Sequence, residues 1–202
     1  MAYNDKLIWD YLMSKTNNAH GTAALMGNLF VESKLDPGYI EASAVKKIGM
    51  TKASYLKKLN NFNMSCYDFA NDGVGFGIVQ WTYKTRKSNL YSYIKDRGYG
   101  KFDDLGVQLD FMWNEISMSY KTVYNAIMKA KDIRTCSDII CKKYEKPAAQ
   151  DETHLQFRAN YGECYYELYA LGNPVVTAAS NVNLRLGNGK EFEKVGRLAK
   201  GR

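Results

Sequence analysis

Prolines are scarce in this sequence, three among 202 residues, and no apolar run approaches the roughly 18 to 20 residues that a bilayer-crossing helix requires. Collagen-like and proline-rich disordered organisations are thereby excluded, and no helical membrane anchor is expected. The opening MAYNDKLIWDYL has neither a basic start nor an uninterrupted apolar core, so synthesis in a cytoplasm without a cleaved leader is the expectation. Cysteine and histidine are equally thin. Cys66, Cys136, Cys141 and Cys164 contain no CxxC pair, and only His20 and His154 could join them, so neither a disulfide framework nor a zinc site is expected and no metal or other cofactor is called for. All four cysteines are expected to be reduced and mostly packed.

Acidic residues are outnumbered, 21 against 28 basic ones, which gives a net charge of +7 and a pI near 9.1. From Val182 onward six basic residues face two acidic ones, so this short end carries +4 of the total and the first 181 residues only +3. Arginine does not alternate with aromatics as in a base-stacking groove, and lysines such as Lys46, Lys47, Lys52, Lys57 and Lys58 read as a solvated face. Nucleic acid is therefore not the expected partner. A modest positive field suits anionic polymers such as those of a bacterial wall.

What is present is helical periodicity. Leu7, Ile8, Tyr11 and Leu12 mark an amphipathic first helix; from about His20 a second carries Ala24, Leu25, Asn28, Leu29 and Glu32 on one stripe. Leu35-Asp36-Pro37-Gly38 is expected to stop it, because the residue before a proline leaves the α region. Residues 44–60 read as moderately helical and 61–75 as loop. Further helices are expected at about 84–97, 104–119, 121–131, 135–146 and 152–171, the last closed by Gly172 and Pro174. From Val175 small and β-branched residues give way to alternation with glycines, a linker followed by strands.

Two segments carry the chemistry, AALMGNLFVESKLDPG (23–38) and NDGVGFGIVQWTYKTR (71–86). Glu32 shares its stripe with Leu25, Asn28 and Leu29 at the C-terminal end of a helix, where desolvation and the helix dipole are expected to raise its pKa toward the range of a general acid. Taken alone, a glutamate on a last helical turn is most often a solvated or capping residue. In the second segment Gly73, Gly75 and Gly77 free the backbone to turn and to approach a ligand, Gln80 offers donors and acceptors, and Phe76, Trp81 and Tyr83 offer aromatic faces. Amide, aromatic ring and accessible backbone together suit a sugar. A glycine-rich hairpin with a buried tryptophan is the alternative, and Trp81 fits core and sugar contact equally.

GNLFVESKLDPG followed by GFGIVQWT closely resembles the phage tail lysozyme family, and more distantly goose-type lysozymes and soluble lytic transglycosylases; the likeness spans roughly residues 5–170. The resemblance implies a mostly α (α+β) lysozyme-like domain over 1–172 with a small glycine-rich β/turn element. It further implies cleavage of peptidoglycan glycan strands between N-acetylmuramic acid and N-acetylglucosamine by a monomeric phage endolysin or tail lysin. Glu32 falls on the family's catalytic glutamate, and Gly75, Gly77, Gln80 and Trp81 on its GFG-x-x-QW signature. A glycosidase commonly uses a second carboxylate; Asp72 is the first candidate, then Glu41 and Asp68. A route without one, attack by the substrate's own 6-hydroxyl, would make the enzyme a lytic transglycosylase, and a catalytically silent wall-binding protein would keep the fold alone. After a linker at 173–181, VNLRLGNGKEFEKVGRLAKG resembles the opening strands of a bacterial SH3 wall-binding domain, although residues 182–202 are too few to close a barrel of about 60 residues.

Overall fold

The structure, a computed structural model, describes residues 2–172 and two short strands, β1 (Val182–Arg185) and β2 (Lys194–Leu198). The strands pair antiparallel with Val182 opposite Leu198 and an irregularity between Leu184 and Arg185. The linker expected at 173–181, and the remainder of the segment read as SH3-like, lie outside the described residues.

The rest is helical, as the periodicity requires: α1 (Ala2–Thr16), α2 (Ala19–Ser33), α3 (Ala42–Lys47), α4 (Lys52–Asn60), α5 (Cys66–Asn71), α6 (Lys84–Asp96), α7 (Leu105–Ser119), α8 (Lys121–Met128), α9 (Ile133–Ile140) and α10 (Glu152–Tyr169). A π turn at Cys141–Glu145 extends α9 and ends at Lys146, whose φ is 52°. Side-chain caps start five of these helices: Thr51, Ser65, Asp104, Asp132 and Asp151 each accept the backbone N–H three residues on. None of the described helices is long and apolar enough to cross a membrane. Cys136 and Cys141 are buried, Cys66 and Cys164 half-buried, and none of the four forms a disulfide.

Two departures from the sequence pattern matter near the site. Residues 66–71 were expected to be loop, yet they form α5. Ser65 caps it by accepting the Asp68 N–H at 3.0 Å and donating to the Asp68 carboxylate at 2.7 Å, and Phe69 and Ala70 are buried beneath it. The second departure is the end of α2. The helix stops two residues before Asp36-Pro37, at Lys34 and Leu35, both left-handed (φ 57° and 60°). Such a conformation costs a non-glycine residue about 1 to 2 kcal/mol, and burial of the Leu35 side chain, 1% exposed, offsets it.

The chain divides into two compact units, Met1–Asp5 with Leu29–Lys121, and Lys6–Asn28 with Thr122–Arg202. In the second unit α2 and α10 approach closely at Gly27 and Gly162: a Cβ on Gly27 would sit 2.4 Å from the Arg158 carbonyl oxygen. Asn28, fully buried there, donates to the Ala24 carbonyl at 2.9 Å and to Ser137 Oγ at 2.9 Å. The first unit is built on an aromatic cluster of Tyr55, Phe62, Phe69, Phe76, Tyr91 and Phe102, mostly edge to face with centroids 5.3 to 6.4 Å apart. Every candidate site residue belongs to this unit.

Candidate active site

Glu32 lies on the last turn of α2, half-buried, below Leu25, Asn28 and Leu29, which are fully buried. Its neighbour Ser33 is also fully buried, with Oγ within donor distance of the Leu29 carbonyl (3.1 Å) and the Ile78 carbonyl (3.0 Å). The hydroxyl thus joins the end of α2 to the glycine-rich segment. The two motifs, some 40 residues apart in sequence, are brought together one residue from Glu32.

The glycine-rich segment is a tight hairpin. Phe76 and Trp81 exchange backbone bonds at 3.2 and 3.0 Å, and Phe76 also bridges to Ile40. Gly77 turns the chain with φ 72° and donates its N–H to the Tyr39 carbonyl at 2.9 Å. Gln80, itself at φ 53°, donates Nε2 to the Gly77 carbonyl at 2.8 Å and the Tyr39 carbonyl at 3.2 Å, so its amide braces the turn it sits in. Phe76 and Trp81 have no exposed surface and form the underside of the hairpin; Gly75 and Gln80 are half-buried, and Tyr83 is 58% exposed at the start of α6. Gln80→Ala and Tyr83→Ala are each expected to weaken substrate use by about 1 to 3 kcal/mol, measured as kcat/KM on glycan. Only Gln80→Ala should also lower Tm, because the Gln80 amide braces the hairpin whereas the Tyr83 side chain is exposed and its backbone bond to Lys87 survives the change.

Gln108 on α7 holds the hairpin from below, a role with no local signature in the sequence. It is fully buried; Oε1 accepts the Ile78 N–H at 2.9 Å and Nε2 donates to the Pro37 and Phe102 carbonyls at 2.7 and 2.6 Å. A Cβ on Gly77 would meet this amide at 2.5 Å, which with its positive φ requires glycine there. Gln108→Glu keeps the shape and removes the donor, leaving the buried Phe102 carbonyl and the part-buried Pro37 carbonyl facing an oxygen. The expected loss is about 1 to 3 kcal/mol per unsatisfied group, read as a lowered denaturation midpoint. An unchanged midpoint would show that these bonds carry no weight.

Asp72 closes α5, and each of its oxygens is taken. Oδ1 accepts the Val74 N–H at 2.8 Å and the Lys87 ammonium, and Oδ2 accepts the Tyr55 hydroxyl at 2.6 Å. Its side chain is 7% exposed and that of Lys87 0%. Lys87 Nζ also donates to the Val74 carbonyl at 2.8 Å and lies 4.2 Å from the Phe69 ring centroid. Burial pulls the Lys87 ammonium down to about 8, a fall that Asp72 partly opposes; burial, reinforced by the bond to Asp72, pushes the Tyr55 phenol far up. Of the other carboxylates considered, Glu41 and Asp68 are exposed, each accepting from a neighbouring serine, Ser43 and Ser65.

A second ion pair lies under Trp81. Arg86 makes two parallel bonds of 2.7 Å to Glu115, and the Trp81 indole N–H donates to the same carboxylate at 3.2 Å. Lys87 carries no local sign of burial, and nothing near Arg86 or Glu115 in the sequence announces their pairing. Among the described residues no group of three or more His, Cys, Asp or Glu side chains is placed to hold a metal ion.

A helical chain with a glutamate closing one helix and a glutamine-tryptophan hairpin tied to that helix end has the features of a lysozyme-like enzyme. The sequence profile of the phage tail lysozyme family matches residues 3–169, and the chain belongs to that family. Its function is accordingly peptidoglycan-lytic and lysozyme-like. Comparison with curated proteins gives no match.

Proposed function

We propose that the enzyme cleaves the bond between N-acetylmuramic acid and N-acetylglucosamine, with Glu32 as the proton donor, acting on the wall as an endolysin or a virion tail lysin. The observation that carries this reading is the bond from Ser33 to the Ile78 carbonyl, which ties the end of α2 to the hairpin bearing Gln80. A half-buried carboxyl one residue from the contact between α2 and the hairpin is suited to protonating the glycosidic oxygen of a bound glycan.

The bonds on Asp72 support a positioning role for it. A carboxylate that attacks the anomeric carbon or activates water must present an oxygen to substrate, and those of Asp72 are engaged by Lys87, Tyr55 and Val74. Asp72 therefore anchors the start of the glycine-rich segment to α6. This engagement also favours a second reading, in which the muramoyl 6-hydroxyl attacks and the product is anhydro, as in a lytic transglycosylase.

Mass spectrometry of muropeptides released from purified walls tests both. Products with reducing N-acetylmuramic acid ends are expected of the hydrolase, and 1,6-anhydro ends of the transglycosylase. Reducing N-acetylglucosamine ends would overturn the bond assignment, and release of no glycan fragments would leave a wall-binding protein.

A further inference from the structure

We propose that a groove between α6 and α7 is a second carbohydrate site, which takes a neutral N-acetylated sugar of the wall glycan; the proposal rests on the glycan reading above. The groove encloses about 320 Å3, at the lower end of the range for small-ligand sites, which is roughly 300 to 1,000 Å3 and here suits one or two pyranose rings. None of Glu32, Gln80 and Tyr83 lines it.

Its chemistry follows from helical spacing. Asn89, Ser92 and Tyr93 share one face of α6, and Phe111, Asn114 and Glu115 share one face of α7, at intervals of three and four residues. The floor is a fixed aromatic pair: Tyr93 and Phe111 meet at 5.2 Å and 62°, and Arg97 holds Tyr93 with its guanidinium 3.9 Å from the ring centroid. Asn89, Ser92 and Asn114 are exposed along the walls and supply two amides and a hydroxyl to sugar hydroxyls and an N-acetyl group. Met118, 70% exposed, adds an apolar rim.

Charge selects against other ligands. Among the described residues that line the groove the one ionic group is Glu115, and Arg86 neutralises it through both of its oxygens. Among the described residues no cation lines the groove, and Arg97 beside it is stacked on Tyr93, so a phosphate-bearing polymer gains little; with the carboxylate already paired, so does a cationic peptide. A neutral sugar asks only for the amides, the hydroxyl and the aromatic floor. Because Glu115 also accepts the Trp81 indole N–H, a ligand in the groove should perturb that indole signal.

The test is a titration of the 15N-labelled full chain carrying Glu32→Gln with chitotriose, followed by two-dimensional NMR. Two sets of shifts are expected, one at Gly75 and Gln80, the other at the side-chain amides of Asn89 and Asn114 with the Trp81 indole. Ser92→Arg/Asn114→Arg, at two exposed positions, should abolish the Asn89 shift and leave the first set intact. It should also weaken pelleting of the Glu32→Gln chain onto purified walls by about tenfold, as expected for loss of one of two linked contacts. Shifts at Gly75 and Gln80 alone would overturn the second site and leave the cleavage reading standing. Groove shifts alone would support the site and remove the sugar contact from the hairpin. Shifts at neither place, or an Asn89 shift that survives the double arginine variant, would overturn the proposal.

Discussion

Glu32→Gln is expected to reduce wall lysis by about 10²- to 10⁴-fold, the range for loss of one general acid. Glutamine has nearly the shape of the glutamate and keeps its capacity to bond, so the half-buried end of α2 and the Ser33 bond to Ile78 should be preserved. Circular dichroism and the denaturation midpoint should match the parent, which separates a lost proton from a lost fold. Turbidity loss of purified walls measures the rate. A glutamine variant retaining more than about a tenth of parental lysis would remove Glu32 as the proton donor.

The second large effect concerns stability. Lys87→Met leaves the Asp72 carboxylate buried without its cation, and Asp72→Asn leaves the Lys87 ammonium buried without its anion. Breaking one side of a buried pair costs about 3 to 5 kcal/mol, so each single variant should lower the denaturation midpoint markedly. Asp72→Asn/Lys87→Met should lose much less than the two singles together, since neither ion remains to be compensated. Additive losses would mean that the two groups are not coupled. If Asp72→Asn abolished lysis at unchanged stability, Asp72 would return as a reacting group and its positioning role would be wrong.

The same pair gives a pH dependence of definite sign. Lys87 holds its proton less tightly in the folded chain, to about pH 8, than in the unfolded chain, where the ordinary value is 10.5. Between those values the unfolded state binds more protons, so stability due to this group rises with pH. It is smallest below pH 8 and complete above 10.5, where the neutral amine still offers N–H donors to Asp72 and to the Val74 carbonyl, which methionine cannot do. Denaturant unfolding of the parent against the double variant at pH 7, 8 and 9 reads it below the ordinary value of 10.0 at which the Tyr55 phenol, also bonded to Asp72, ionises in the unfolded chain. A parent advantage that shrinks as pH rises would reverse the assignment.

Much of the helical framework was readable from periodicity, because α1, α2, α6, α7 and α10 repeat apolar residues at three and four positions over three turns or more. The cap that makes α5 lies within an Asn-, Asp- and Gly-rich stretch, and a six-residue helix offers too little periodicity to stand out. Glu32 and the glycine-rich segment were visible as local patterns, and their order along the chain carried the family resemblance.

Their meeting was not visible. That Ser33 reaches Ile78, that Gln108 supports the hairpin and that Lys87 is buried against Asp72 are contacts across 15 to 45 residues, between groups whose local sequence is unremarkable. A lysine on an amphipathic helix reads as solvated from its own neighbours; only the carboxylate, phenol and carbonyl that surround Lys87 make its burial tolerable. The sequence by itself determined which longer segments become helices, where the chain can turn sharply, and which glutamate ends an apolar stripe, because these follow from local sterics and spacing. Tertiary structure alone decided which carboxylate is held by a cation and which donor satisfies which buried carbonyl, because a buried polar group must find its partner wherever folding brings one.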